Sequence, residues 1–395
     1  MLSAWRVFAE FLLLGCTSFG GPVAHLGYFR ERFVMRRHWL SDEAYAELVA
    51  ICQFLPGPAS SQVGIGLGLM RAGWLGGIAA WIGFTLPSAV LLLIASALLS
   101  INPAWLNGGW VQGLKVAAVA VVTQAVLGMQ KRLAPDRPRL TLMAVSAILV
   151  LVVPLASVQV LALLLGAVVG VLCFRAPDQN AQVLNGLQVP VRRSVAIGLL
   201  GLLALLLAFL PWLSASTRPV AVQQLSAMLQ AGSLVFGGGH VVLPLLEQSL
   251  VPPGWISLDR FLAGYGAAQA VPGPMFSLAA FLGFDLRGGL QGITGSILAL
   301  IALFLPAFLL IGGVLPFWSD LGQRRAMRRA LMGVNAAVVG ILLAALYQPV
   351  WRVGIRNSAD FSLALLAVLL LMAWRQPAWR VVLFCGLIGG LVLPR

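Results

Sequence analysis

The sequence predicts an all-α polytopic membrane protein of two inverted-topology repeats. Each repeat holds two broken, hairpin-like segments followed by about four spanning helices, and one extra transmembrane helix joins the two. Three observations carry this expectation. Of the 395 residues, 60% are hydrophobic and only 10% are charged, at a mean hydropathy of +0.95, which no water-soluble core needs or tolerates. Apolar runs long enough for a bilayer core of about 30 Å recur at 155–174, 194–213 and 289–315. Finally, the chain resembles itself after about 217 positions, the shift from Gly15 to Gly232.

The repeat is read in chain order. "GCTSFGGPVAH" from Gly15 lies over "GSLVFGGGHVV" from Gly232, and "WLSDEAY" from Trp39 lies over "WISLDRF" from Trp255. Gln53-x-x-Pro56-Gly57-Pro58 lies over Gln269-x-x-Pro272-Gly273-Pro274, and Pro87 lies over Pro306 with slight slippage. The opening run, Arg6 followed by "FLLLGC" with Cys16, has the outline of a lipoprotein-like signal. Leu14 stands where such signals prefer a small residue, and Gly15 has its counterpart deep in the chain, so cleavage is not expected. After the first PGP, spans are expected near 73–101, 113–130, 139–153 and 155–174, with an unpaired one at 194–213. That odd span inverts the second half. The expected divisions are 1–175 for the first membrane repeat, 176–219 for the linker with the extra helix, and 220–395 for the second repeat.

Charge tests the topology. The formal net charge of +14 is dispersed in small clusters between apolar runs and forms no single face, which excludes a nucleic-acid surface and reads as topology signals in a lipid bilayer. Segments 131–139, 175–193 and 324–329 carry four, three and four basic residues and are expected in the cytoplasm. Segment 30–37 holds four arginines and its counterpart 247–255 holds none. Both acquire the expected sign only if each broken segment enters and leaves on one side as a hairpin. Irregular backbone at membrane depth survives only against protein or a wet cavity, so the breaks are expected to meet at a central site.

The breaks also suggest what is bound. Proline suits the first helical position, so Pro58 is expected to open a short helix presenting the amides of Ala59, Ser60 and Ser61. Pro22 after Gly20 and Gly21 does the same for the first break, and Pro274 with Ser277 and Gly239 with His240 are the second-half equivalents. Gly20, Gly21, Gly57, Gly237, Gly238, Gly239 and Gly273 allow close backbone approach to a ligand, beside Pro56 and Pro272. A helix N-terminus carries about half a positive charge and free N–H donors; four of them supply roughly two charges, which suits a dianion. The bland alternative is that each break is a kink or packing contact.

Gln53 and Gln269, one turn before their prolines, either donate to the ligand or bond to a neighbouring hairpin. His25 is either a titrating group or a packing histidine. Glu247 is a near-membrane carboxylate, a coupling candidate or a mark of the extracellular rim. Lys115, Arg30 and Arg71 are candidates for anion entry, with snorkelling as the alternative for Lys115 and Arg71. Cys16, Cys52, Cys173 and Cys385 have no disulfide or metal spacing. No cofactor motif, His-Glu-x-x-His or paired aspartates appear, so no enzyme is expected. A homodimer is left open.

"SFGGPVAH", the "QFLPGP" and "QAVPGP" pair, "VFGGGH" with "LPLLEQ", and the two-half layout resemble the chromate ion transporter family over nearly the whole chain. The resemblance implies an inner-membrane exporter of chromate, with the halves in opposite orientation. Sulfate is a tetrahedral dianion of similar size that backbone N–H donors would serve as well, so a sulfate or general oxyanion transporter, exporting or importing, is the alternative. An aromatic is frequent in the family where this chain has His240, which weakens a role for that residue. A dianion leaving a negative interior at 100 mV gains about 4.6 kcal/mol, enough for an outward gradient of roughly 2,000-fold, so export is expected over uptake.

Overall fold

In the computed structural model, residues 3–153, 155–175, 191–217, 219–236, 238–318 and 324–392 are described, and every regular element among them is helical. The first half holds α1 (Ala4–Thr17), α2 (Gly21–Phe29, continued by a wide turn over Arg30–Arg36), α3 (Asp42–Phe54), α4 (Ala59–Ile101), α5 (Gly109–Leu133), α6 (Arg137–Val152) and α7 (Ala156–Cys173). The unpaired α8 is Arg193–Thr217. The second half holds α9 (Val220–Leu234), α10 (Val242–Leu250), α11 (Leu258–Ala270), α12 (Leu278–Asp285), α13 (Gly292–Val314), α14 (Arg325–Ala345), α15 (Ser358–Met372) and α16 (Ala378–Val392). The expected linker portion 176–190 lies outside the described residues.

Among the described residues, five helices are long and apolar enough to cross a membrane: α4, α5, α8, α13 with its continuation to Phe317, and α14 with its continuation to Gly354. Their outward side chains are apolar, among them Leu75, Ile94, Ile197 and Leu205, all exposed, as lipid contact requires and water does not. The protein is a multi-pass membrane protein.

α4 is two helices. Ala72 and Gly73 leave helical geometry, Gly73 with φ +62°, and split a short arm at 59–71 from a long arm at 74–101. The short arm is the return limb of a hairpin with α3: Gly66 gives Leu48 its space, since a Cβ there would lie 2.9 Å from Leu48 Cδ1, and Arg71 Nη2 donates to His38 O at 3.3 Å. α1 and α2 also double back. Glu10 accepts from Arg32 at 2.6 Å and pairs with Arg37, and Phe11 packs on Phe29 and Phe33 with ring centroids 5.5 and 4.8 Å apart.

In the second half the corresponding elements are α9 with α10 and α11 with α12, while α13 matches the long arm of α4. The α11–α12 foot is anchored at the far end of that arm. Arg260 donates to Leu99 O at 3.1 Å and Ser96 O at 2.9 Å, whereas His38 and Arg71 sit at the arm's other end. At 1.5 Å per residue the ends are about 40 Å apart, so the two PGP hairpins reach inward from opposite ends of one helix.

The remaining helices interlock the halves. α14 packs on α6 and α7 of the first half, and α5 packs on α15 and α16 of the second. Small residues permit backbone contact at these crossings: a Cβ on Gly333 would lie 1.8 Å from Gly166 O, and one on Gly113 would lie 2.0 Å from Cys385 O. α8 lies outside this exchange, against α9 and α13. Hence neither half buries its own spans alone.

Candidate functional site

The four helix breaks meet. Gly57 N–H donates to Val235 O at 2.6 Å, and Gly273 N–H donates to Ser18 O at 2.9 Å. Under the repeat, Gly57 corresponds to Gly273 and Ser18 to Val235, so one bond is made twice, each time from a PGP turn to the opposite half's FGG turn. Both glycines have left-handed backbone, φ +120° at Gly57 and +98° at Gly273, a region a β-branched residue cannot occupy without strain. Gly239 closes the cluster, because a Cβ there would lie 3.6 Å from Pro22 Cγ and 3.7 Å from Met275 Sδ. Gly20 caps α2 with φ +104°, and Gly21 and Pro22 are its first residues. Gly238 caps the short turn that leads into α10. Gly237 lies outside the described residues.

Pro58 sits one position earlier than expected. It is the N-cap, and Ala59 is the first helical residue; the first bond of this arm runs from Gln62 N to Pro58 O at 2.9 Å, leaving the Ala59, Ser60 and Ser61 amides without an intrahelical acceptor. Pro56 O accepts from Gln62 Nε2 at 2.7 Å. The buried imidazole of His25 lies over this arm, with Nδ1 3.4 Å from Ser60 Oγ. At the second PGP, Pro272 is buried, Pro274 caps a tight turn over Met275–Ser277, and Ser277 Oγ donates to Pro274 O at 2.7 Å and meets Ser88 Oγ at 2.6 Å. None of 18–25, 56–62, 238–241 and 272–277 contains lysine or arginine. Positive character at the breaks therefore comes from amides and helix dipoles.

Several expected residues stand elsewhere. Gln53 is exposed at the end of α3, whereas Gln269 is half-buried and directs Nε2 at Met275 Sδ at 3.4 Å, so the repeat-matched amides occupy unlike surroundings. His240 is held by Tyr265, Nδ1 to hydroxyl at 2.9 Å. Lys115 is buried and paired with Asp259 at 2.5 Å, which compensates the charge it was expected to offer an anion. Arg30 donates from Nε and Nη2 to both carboxylate oxygens of Asp42 at 2.6 and 2.7 Å, and the guanidinium holds the Asp42 carboxyl below its ordinary range. Arg71 is occupied by His38 O and lies over the Trp39 ring at 5.8 Å. Glu247 lines a separate cavity of about 290 Å³ with Gln159, Gln248 and Gln348.

Sequence reasoning missed two features. Ser18, Gln62, Thr85 and Ser88 are buried polar residues at the breaks; their types were visible, but nothing local said that they face the interior together. The other is the ion pair Arg260–Asp285, bidentate at 2.6 Å for both bonds and buried with Ser96 and Ser100 hydroxyls on the carboxylate. Its partners come from α11, α12 and α4, and no spacing rule links them.

Comparison with known proteins identifies the family. The chromate transporter family profile matches residues 5–171 and again 222–390, and the gap between the matches contains α8. The chain is 28% identical to the chromate transport protein of Pseudomonas aeruginosa, over 98% of this chain and 92% of that one. It is 28% identical to the probable chromate transport protein of Synechococcus elongatus over 92% and 88%, and 27% identical to the chromate transport protein of Cupriavidus metallidurans over 97% and 91%. No solved structure matches the chain. Two family matches, one on each side of the unpaired helix, and full-length relatives place this chain in the chromate transporter family, a family of membrane transporters and not of enzymes.

Proposed function

We propose that the protein exports chromate, a tetrahedral dianion, across the inner membrane, binding it where the helix breaks meet and alternating access between two inverted halves. The carrying observation is the reciprocal pair of bonds, Gly57 to Val235 and Gly273 to Ser18, which ties the starts of α2, α4, α10 and α12 into one cluster without a lysine or arginine. The Ala59, Ser60 and Ser61 amides that this cluster leaves without an intrahelical acceptor suit an anion whose charge must be released again on the other side, since dipoles bind without the tight ion pair a buried arginine would form. The basic segments at 30–37, 131–139 and 324–329 support a cytoplasmic face at the start of the long arm of α4. Electrical work favours outward movement, by about 2.3 kcal/mol per charge per 100 mV.

Amide and hydroxyl donors serve sulfate as they serve chromate, so a general oxyanion carrier is the second reading. Vesicles of both orientations carrying the purified protein separate the two. Chromate uptake by inside-out vesicles, driven by an inside-positive potential and competed by sulfate more weakly than by chromate itself, is the expected result. Equal competition by sulfate favours the general carrier. Equal inhibition by the monoanion perchlorate would dismiss a dipole-built dianion site.

A further inference from the structure

The breaks are related by the repeat, yet their chemistry is not. Alignment on the FGG and PGP turns and on Pro87 with Pro306 sets Ser18 against Val235, His25 against Val242, Ser60 against Phe276 and Thr85 against Phe304. Each of these four polar residues is replaced by an apolar one in the second half, whereas Ser61 keeps a hydroxyl counterpart in Ser277. Both sets are buried: Ser18, His25, Ser60 and Thr85 are at most 3% exposed, and Val235, Val242, Phe276 and Phe304 at most 1%. In the second half the space is filled by ring packing, with Phe276 and Phe304 centroids 5.7 Å apart.

In the first half the polar atoms lack partners. Among the described residues, Ser18 Oγ, His25 Nε2, Ser61 Oγ and Thr85 Oγ1 are buried with no hydrogen-bond partner, a state that costs free energy unless something completes it. Ser61 is at the start of the short arm of α4, where the Ala59, Ser60 and Ser61 amides are also free of intrahelical acceptors, Ser18 ends α1, and Thr85 follows Phe84 in the long arm. His25 lies against Ser60 and also edge-on to Phe84, with centroids 5.2 Å apart, which brings α2, the short arm and the long arm to one point. The matching second-half hydroxyl, Ser277, is already committed to Ser88 and Pro274. Gln62 Oε1 is unpartnered as well, but it is an acceptor and its amide nitrogen is engaged by Pro56 O, so it does not join a donor set.

We infer that the oxyanion is bound by the first half alone, in a pocket formed by Ser18, His25, Ser61 and Thr85 at the start of α4, while the second half supplies an apolar wall. This deepens the function proposed above and rests on it. With the Ser60 hydroxyl donating to Nδ1, the neutral imidazole presents Nε2–H, so every group named is a donor. A dianion supplies the missing acceptors, and the apolar side leaves its remaining oxygens free to be released.

The test is chromate binding to the purified protein in detergent, followed by tryptophan fluorescence. Ser61→Ala and Thr85→Val, the second isosteric, are each expected to weaken chromate affinity roughly tenfold to a hundredfold, as loss of a bond to a charged group does. Thr85→Ser restores the hydroxyl and is expected to restore affinity, a rescue that a packing defect would not show. Ser296→Ala removes a buried hydroxyl elsewhere in the second half, bonded to Ala280 O, and serves as the control. Affinity in Ser61→Ala and Thr85→Val no lower than in that control would overturn the asymmetric pocket while leaving the functional reading intact. Absence of chromate and sulfate binding to the unaltered protein would remove that reading, and the pocket with it.

Discussion

The Arg260–Asp285 pair is a demanding point at which to perturb this protein. Arg260 makes two bonds to Asp285 at 2.6 Å and reaches the carbonyls of Leu99 and Ser96 and the Ser100 hydroxyl. The two side chains are only 11% and 6% exposed. The carbonyls belong to the last two turns of the long arm of α4, near the end where the helix dipole favours a cation. Asp285→Ala leaves a buried guanidinium without its counter-charge, which costs about 3–5 kcal/mol, whereas replacing both partners with apolar residues of similar volume is often neutral. Unfolding by graded addition of a denaturing detergent, read by circular dichroism, should therefore rank Asp285→Ala well below the double variant Arg260→Met/Asp285→Leu. Because α11 runs from this anchor directly to the second PGP turn, chromate transport should fall in Asp285→Ala even where the folded fraction is recovered. Stability of Asp285→Ala equal to that of the unaltered protein, or lower stability of the double variant, would refute the argument that the pair acts as one compensated unit.

Three further outcomes follow from the same geometry. In a cysteine-free background, cysteines at Arg32 and Ser249 should label from opposite faces, with position 32 cytoplasmic; reaction of position 32 with an impermeant maleimide applied outside would contradict the hairpins. Gly57→Val and Gly273→Val should abolish transport, since each places a β-branched residue at positive φ and the Cβ would meet Gln62 Nε2 at 2.8 Å or Ser88 Oγ at 2.9 Å; full activity in both would show that these turns do not shape the site. Gly333→Leu should fail to accumulate or unfold early on heating, because its Cβ would overlap Gly166 O at 1.8 Å and backbone there has nowhere to move; a melting profile like that of the unaltered protein would deny the α7–α14 contact.

Much of the architecture was present in local signals. Hydropathy places spans near 113–130 and 139–153, and the helices found are Gly109–Leu133 and Arg137–Val152. Proline and glycine mark the turns at 20–22, 56–58 and 272–274 because their effects on φ act within one residue. The polar asymmetry of the site was also written in the chain, as Ser60 against Phe276 and Thr85 against Phe304, but types alone do not say which side chains share an interior. Tertiary structure decided the partnerships: Gly57 with Val235, Lys115 with Asp259 across 144 positions, Arg260 with the end of α4, and α5 and α14 each with the other half's helices. These depend on closing long loops, where a favourable pair is selected by packing geometry summed over the whole fold and leaves no period or spacing behind. Lys115 shows the difference: its place on a spanning helix followed from hydropathy, but whether it met an anion or a carboxylate was settled by what α11 brings beside it.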